Sequence, residues 1–325
     1  MLLLTAIYLQ MLQQREMSRK TEFIIVLSIS CGLLYMESSS IKIPQCTCGH
    51  CHVKKHKDSW FSKRFNASYH PLMTSNSSNV STETFQWWKR LQHRHASGWN
   101  EYRKTVDKLF KIIPNKEHYR DEGPDRCRVC SVVGNSGNLK NSRYGPLIDL
   151  SDFVLRINRG PTKGFERDVG SKTTHRIIYP ESAVDMDNST HLVFFPFKLL
   201  DLEWLISVFT TQNVKRGNMR VKSTIKANLS LVMVASPSFM KYVHEQWLAK
   251  HGSYPSTGFM TVAMALHICD KVRLFGFGAN KQGNWDHYFE KTPRRLKTGQ
   301  HGGSFEYNTI KELHKRNKIE FYGRW

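Results

Sequence analysis

Acidic residues are scarce in this chain. Its 325 residues carry 27 Asp and Glu against 48 Lys and Arg, a formal net charge of +21. So basic a balance points to nucleic acid, an anionic membrane surface or an acidic small molecule as partner. No nucleic-acid module or tight basic–aromatic cluster accompanies the charge, because the basic residues are scattered from Lys54 to Lys318. Most of them simply solvate a surface. Internal repeats and low-complexity tracts are absent, which excludes solenoid and fibrous architectures. Long apolar runs are scarce as well. Residues 23–36 are the single membrane candidate, and with the serines that follow the run reaches Ser39. That is near the lower end of the roughly 17–25 residues that span a bilayer.

What is present organises the chain. Arg15, Arg19 and Lys20 precede the apolar run, which places the N-terminus in the cytosol and the bulk in a lumen. A cleaved signal peptide is the rival reading. Five Asn-x-Ser/Thr sequons, at Asn66, Asn76, Asn79, Asn188 and Asn228, all follow the run and favour lumenal exposure. Seven cysteines less Cys31, which lies in the apolar run, leave six. In a cytosolic protein Cys46, Cys48, Cys51, Cys127 and Cys130 would suggest zinc. In an oxidising lumen six reads as three bridges, with fifteen possible connectivities.

From residue 127 onward, short apolar runs alternate with helical patterns. Strands are expected at 128–133, 153–158, 175–179, 191–195, 229–234, 272–275 and 319–322. Helices are expected at 82–93, 100–113, 201–211, 237–250, 257–269 and 308–318. Residues 66–81 read as a loop and 116–125 as a link into the sheet. This alternation predicts an α/β fold, a Rossmann-like, mostly parallel sheet flanked by helices, with ligands at the carboxyl ends of the strands.

Four short motifs lie on this frame: C-S-V-V-G-N-S-G-N-L (130–139), Y-P-S-T-G (254–258), H-Y-F-E (287–290) and H-G-G-S-F-E (301–306). The first two are small-residue turns whose backbone N–H groups can hold phosphate. The first lacks the third glycine of a dinucleotide fingerprint, so alone it is only a tight turn. Ser256 or Thr257 reads equally as an N-cap. His287 and His301 supply imidazoles for proton transfer. Both fall in a loop-rich stretch, 280–305, that could form a lid. Asp185-Met186-Asp187 could hold a hard cation, but it abuts the Asn188 sequon and reads as a surface loop.

The four motifs, in this order, resemble the sialylmotifs of the animal sialyltransferases. Within that family C-T-C-G-H-C (46–51), W-W-x-R-L-Q (87–92) and P-F-K-x-x-D-L-E-W (196–204) are most similar to the Galβ1-3GalNAc α2,3-type. The resemblance spans about 46–322. It implies a sialyltransferase variant of the GT-A fold, with a cytosolic tail at 1–22, a transmembrane signal anchor at 23–39, a short stem at 40–58 and a lumenal catalytic domain at 59–325. It further implies a Golgi, single-pass type II glycoprotein, also secreted after stem cleavage. The partners would be CMP-sialic acid and Galβ1-3GalNAc-terminated glycoproteins or glycolipids, with no metal, cofactor or nucleic acid.

For individual residues, the resemblance implies that His301 is the general base for the galactose 3-hydroxyl and that His287 hydrogen-bonds the departing phosphate. Asn135, Ser136 and Asn158 would contact CMP, with Ser256, Thr257, Gly258 and Gly278 completing the donor site. Tyr254 would lie where donor and acceptor meet, and Gln92 would serve the acceptor. Apart from the resemblance, Trp285 and Tyr179 read equally as aromatics lining the pocket or as core packing. Bridges are implied between Cys46 and Cys51, Cys48 and Cys127, and Cys130 and Cys269. One departure stands out: the family's tyrosine near the donor phosphate falls at Asn218. Two alternatives remain open at this point, a sialyltransferase of another linkage or acceptor, and a weakened sialoglycan-binding protein. A zinc protein binding nucleic acid is the third and weakest.

Overall fold

A computed structural model describes residues 58–76, 80–91, 98–115, 119, 127–214, 221–279, 285–290 and 300–323. The expected tail and anchor, Cys46, Cys48, Cys51, Asn79, Gln92 and Asn218 lie outside the described residues. Among the described residues no helix is long and apolar enough to cross a membrane.

A seven-stranded sheet organises the chain. Its strands are β1 (Val129–Val133), β2 (Phe153–Ile157), β3 (His175–Ile178), β4 (His191–Phe194), β5 (Val232–Val234), β6 (Lys271–Phe275) and β7 (Glu320–Tyr322). They lie in the order β5-β4-β3-β2-β1-β6-β7, with every pairing parallel. Parallel strands are covered on both faces and so read as continuous apolar runs rather than alternating ones. V-C-S-V-V and F-V-L-R-I are accordingly buried at every position after the first. The chain lays β1 to β5 outward in one direction, then returns to place β6 on the other side of β1. The order therefore reverses at the carboxyl ends of β1 and β6, where an open α/β sheet leaves a crevice.

The longer helices are α1 (Thr82–Arg90), α2 (Trp99–Leu109), α3 (Leu199–Phe209), α4 (Pro237–Tyr242), α5 (Thr257–Ile268) and α6 (Gly303–Lys315). α5 is apolar nearly all round because it is buried nearly all round. Phe259, Met260, Val262, Met264 and Leu266 are each closed from solvent, and the helix packs on β1, β2, β3 and β6. On the opposite face a smaller cluster gathers Val133, Leu139, Ile148, Val154, Val169, Phe275 and Tyr288. A disulfide joins Cys130 of β1 to Cys269, which closes α5, with Cα atoms 6.1 Å apart. Cys127 is also disulfide-bonded.

Several boundaries differ from the sequence expectation, each for a local reason. The strand expected from 229 begins at Val232, because the Asn228 side chain caps a 3₁₀ turn over Leu229–Leu231. The helix expected over 237–250 is α-helical only to Tyr242 and continues as a π-turn over Val243–Trp247. The C-terminal helix starts five residues earlier than 308 and ends at Lys315. Gly302 and Gly303 signalled loop, but a buried contact of Glu306 holds this turn helical. The loop-rich stretch expected to reach 305 therefore gives way to helix at Gly303. Short helical turns at Ser59–Ser62, Gly145–Asp149 and Glu166–Val169 were not anticipated.

Candidate active site

The loop leaving β1 is tied to the one leaving β6. Gly134 N–H donates to Phe275 O (2.8 Å) and Ser136 N–H to Gly276 O (3.0 Å). The Ser136 hydroxyl donates to Gly278 O (2.7 Å) and accepts from Asn138 N–H (3.2 Å). Gly276 and Gly278 both take positive φ, at 71° and 88°. A side chain at Gly278 would drive into the Tyr307 ring. Asn135 Nδ2 donates to Ile157 O at the end of β2 (3.1 Å). One residue on, Asn158 sits at φ 55° with its Oδ1 buried and unpaired. Thus Asn135, Ser136, Asn158 and Gly278 meet at the strand ends. Ser136 is tied down there, since its amide donates to Gly276 O, its carbonyl accepts from Leu139 N–H (3.1 Å) and its hydroxyl donates to Gly278 O.

His287 enters by pairing its backbone with Ser136 in an antiparallel bridge. Tyr288 N–H donates to Asn135 O (2.9 Å), and Gly137 N–H to Asp286 O (2.7 Å), so this segment is stitched to the β1 loop on both sides of the histidine. His287 Nδ1 meets Glu290 Oε1 at 2.9 Å. A carboxylate accepts, so Nδ1 carries a proton and Nε2 is the ring's second polar atom. The spacing H-Y-F-E is thus explained: Glu290 orients the histidine three residues before it.

His301 is held by the segment that leads into α5. It bridges to Gly252 in antiparallel fashion, and Ser253 N–H donates to Gln300 O (2.8 Å). Its Nδ1 lies 3.1 Å from Tyr254 O, and its ring stands edge-on to the Tyr254 ring at 4.8 Å. A carbonyl can only accept, so Nδ1 is protonated and Nε2 of the neutral ring keeps its lone pair. That is the tautomer a general base needs.

The N-terminus of α5 closes the arrangement. The Ser256 hydroxyl caps Phe259 N–H (3.1 Å), while the amides at the start of any helix lack intrahelical partners. Gly258 lies against Phe277, which a methyl at that position would crowd at 3.2 Å. Thr257 is buried, and its carbonyl accepts from Thr261 (2.7 Å). Glu306, also buried, accepts from both the amide and the hydroxyl of Ser256. Burial pushes its carboxyl above the usual range, against the pull of the two hydrogen bonds from Ser256. Glu306 therefore orients the cap rather than the histidine ring. Trp285 stands edge-on to Tyr307 at 6.4 Å, on the Gly278 side of the crevice.

Sequence reasoning missed one cluster. Phe197 packs between Tyr179 (6.0 Å) and Tyr254 (5.3 Å). Beside it Lys198 Nζ pairs with Asp201 Oδ1 (3.2 Å) and Glu181 Oε1 (3.4 Å). Burial raises the carboxyl of Asp201 to about 6 despite Lys198. P-F-K-x-x-D carried only the Asp201 part of this signal, because an aspartate in the first helical turn accepts from the amides before the helix, here Phe197 N–H (2.8 Å) and Lys198 N–H (3.2 Å). Asp185 and Asp187 are engaged elsewhere. Asp185 pairs with Lys222 (3.0 Å), and Asp187 caps Ser189 and Thr190. Among the described residues no group of three or more His, Cys, Asp or Glu could hold a metal ion.

The model of glycosyltransferase family 29 (sialyltransferase) matches residues 72–318. This chain belongs to that family. The pig protein "CMP-N-acetylneuraminate-beta-galactosamide-alpha-2,3-sialyltransferase 1" is 44% identical over 281 residues, covering 85% of this chain and 81% of the relative. A solved structure titled as a mammalian sialyltransferase superposes with TM-score 0.81 at 45% identity, over 86% of this chain and 99% of that one. A second, in complex with Gal-beta-1-3GalNAc-ortho-nitrophenol, gives TM-score 0.78 at 44% identity, over 86% and 100%. Family 29 membership makes the chain a glycosyltransferase and leaves no room for the zinc and nucleic-acid reading.

Proposed function

We propose that the chain transfers sialic acid from CMP-sialic acid to O3 of galactose in Galβ1-3GalNAc termini of O-glycans, with inversion at the anomeric carbon. The observation that carries this reading is the His301 tautomer: Nδ1 is tied to a backbone carbonyl, and Nε2 is left as a base on the rim where the strands end. The name of the pig relative and the acceptor bound to the structural neighbour support the same acceptor class.

In this mechanism the C2–O bond to phosphate breaks through an oxocarbenium-like state. His301 Nε2 takes the proton of the galactose 3-hydroxyl as O3 bonds to C2 from the opposite side. CMP leaves with the bond's electron pair. With its Nδ1–H given to Glu290, His287 would hydrogen-bond the leaving phosphate through Nε2. The unpaired Asn158 Oδ1, the Asn135 amide, Ser136 and the Thr257–Gly258 amides at the start of α5 would hold the CMP portion, and Gly278 would let it approach closely. Tyr254 and Trp285 would flank the sugar, and Gln92 would reach the acceptor. One phosphate needs no divalent clamp, so the reaction is expected to run in EDTA.

The same reading includes a Golgi-membrane protein anchored by 23–39 with its catalytic domain in the lumen, and glycolipids as further acceptors. The test is transfer from CMP-sialic acid to Galβ1-3GalNAc by the full chain in detergent. Product cleaved by an α2,3-selective sialidase and resistant to an α2,6-selective one is expected. Product of the opposite sensitivity would replace the linkage, and no transfer to any β-galactoside would sink the proposal.

A further inference from the structure

Beneath the donor floor lies a pair of arginines that the reaction does not use. Arg156 and Arg176 are register partners on β2 and β3, so their side chains rise from the same face of the sheet. Arg156 is 1% exposed. Its Nε and Nη2 donate to Lys172 O (3.0 and 2.8 Å), and Nε also reaches Thr173 Oγ1 (3.0 Å). Arg176 Nη1 donates to Asn158 O (3.2 Å) and Gly160 O (2.9 Å). Every one of these acceptors is neutral. Arg156 Nη1 and Arg176 Nε remain buried without a partner, as does Asn158 Oδ1 in the turn that follows β2.

The charge balance is as incomplete as the hydrogen bonding. The carboxylate whose charge reaches Arg156 is Asp149. Its oxygens are taken by the Ser171 amide and hydroxyl and by the Lys172 amide. Burial and mutual repulsion pull the Arg156 guanidinium down to about 10, which leaves it charged at neutral pH. Two adjacent cations, Arg156 buried and Arg176 partly so, that rest on neutral carbonyls are costly unless something of opposite charge joins them.

We infer that Arg156 Nη1 and Arg176 Nε bind a small monovalent inorganic anion, of halide size, under the Asn158 turn. A water molecule would satisfy the hydrogen bonds but neither charge, whereas an anion answers both. Turning the Asn158 amide would add its Nδ2 as a further donor. Because Arg176 also latches the left-handed turn from Asn158 to Gly160, an occupied site steadies the residue expected to hold the donor.

Thermal unfolding of the full chain in sodium chloride, sodium bromide and sodium gluconate at equal ionic strength tests this. The halides are expected to raise Tm saturably, by about 3 °C at ten times the half-saturating concentration, and gluconate is not. Arg176→Met is expected to lower the baseline in every salt and to abolish the halide-specific rise. A merely structural arginine would shift the baseline and leave the rise intact. Should that variant fail to fold, a bromide-soaked crystal of the unaltered protein decides, with an anomalous peak expected between the two guanidiniums. Equal Tm in all three salts, a halide rise that survives Arg176→Met, or water in place of bromide would overturn the inference.

Discussion

Replacing Gly252 by alanine should separate activity from stability. Gly252 sits at φ 73°, and a Cβ there would stand 2.4 Å from Gly302 N, 3.0 Å from Gln300 O and 3.0 Å from His301 C. All three are backbone atoms and cannot swing aside. Two effects follow. The left-handed conformation costs a non-glycine residue about 1–2 kcal/mol. The clash also forces apart the Gly252–His301 bridge and carries the imidazole with it. A displacement near 1 Å at a reacting group is worth about 10²-fold in rate. Gly164 provides the control, since it takes φ 85° with no atom within 4 Å of its would-be Cβ. Gly164→Ala should show the same strain and lower Tm by about 2–8 °C, as Gly252→Ala does at least. In the transfer assay, however, Gly252→Ala should lose about 100-fold in kcat with CMP affinity preserved, and Gly164→Ala should keep its rate. Equal rates in the two variants, or CMP binding lost in step with kcat, would refute the placement of His301 by the Gly252 pairing.

Further outcomes follow from the same geometry. Asp201 has a folded-state pKa raised to about 6 from 3.8, so the stability it contributes is full below 3.8 and lost as pH rises through 6. Between pH 3.5 and 7 the unaltered chain should lose about 3 kcal/mol more than Asp201→Asn, read from denaturant midpoints, and parallel curves would contradict the assignment. Glu306→Ala leaves two half-buried Ser256 donors without their acceptor and should cost about 1–3 kcal/mol of stability, while Glu306→Gln, which can still accept from the amide, should recover at least half. Opening the Cys130–Cys269 bridge, which closes a loop of 139 residues, should cost up to about 5 kcal/mol in a Cys→Ser pair compared under oxidising conditions. Transfer rates should be the same with and without EDTA, and should not change in Asp185→Asn, because both aspartates of the D-x-D are taken up by neighbouring side chains and amides.

Much of the fold was legible because parallel strands and a buried helix leave strong composition signals. V-C-S-V-V and T-V-A-M-A-L have no polar side to hide, and both elements stand where the apolar runs placed them. Boundaries set by side-chain capping were less legible. Asn228 turned the start of a strand into a 3₁₀ turn, and Glu306 made a helix out of a glycine pair, because each depends on a contact with a particular backbone group. The histidines could be named from their motifs, but their tautomers could not. Those depend on Glu290, three residues along, and on the carbonyl of Tyr254, forty-seven residues away. Lys198, Glu181 and Asp201 were invisible as a group, since they come from two segments that only the crossover between β3 and α3 brings together.

The most direct test of His301 as the base is His301→Ala compared with the unaltered chain in donor binding and in transfer to Galβ1-3GalNAc. CMP affinity should hold within a few-fold while kcat falls by about 10²–10⁴. Retained kcat, or a loss explained wholly by weaker CMP binding, would contradict the role assigned to Nε2.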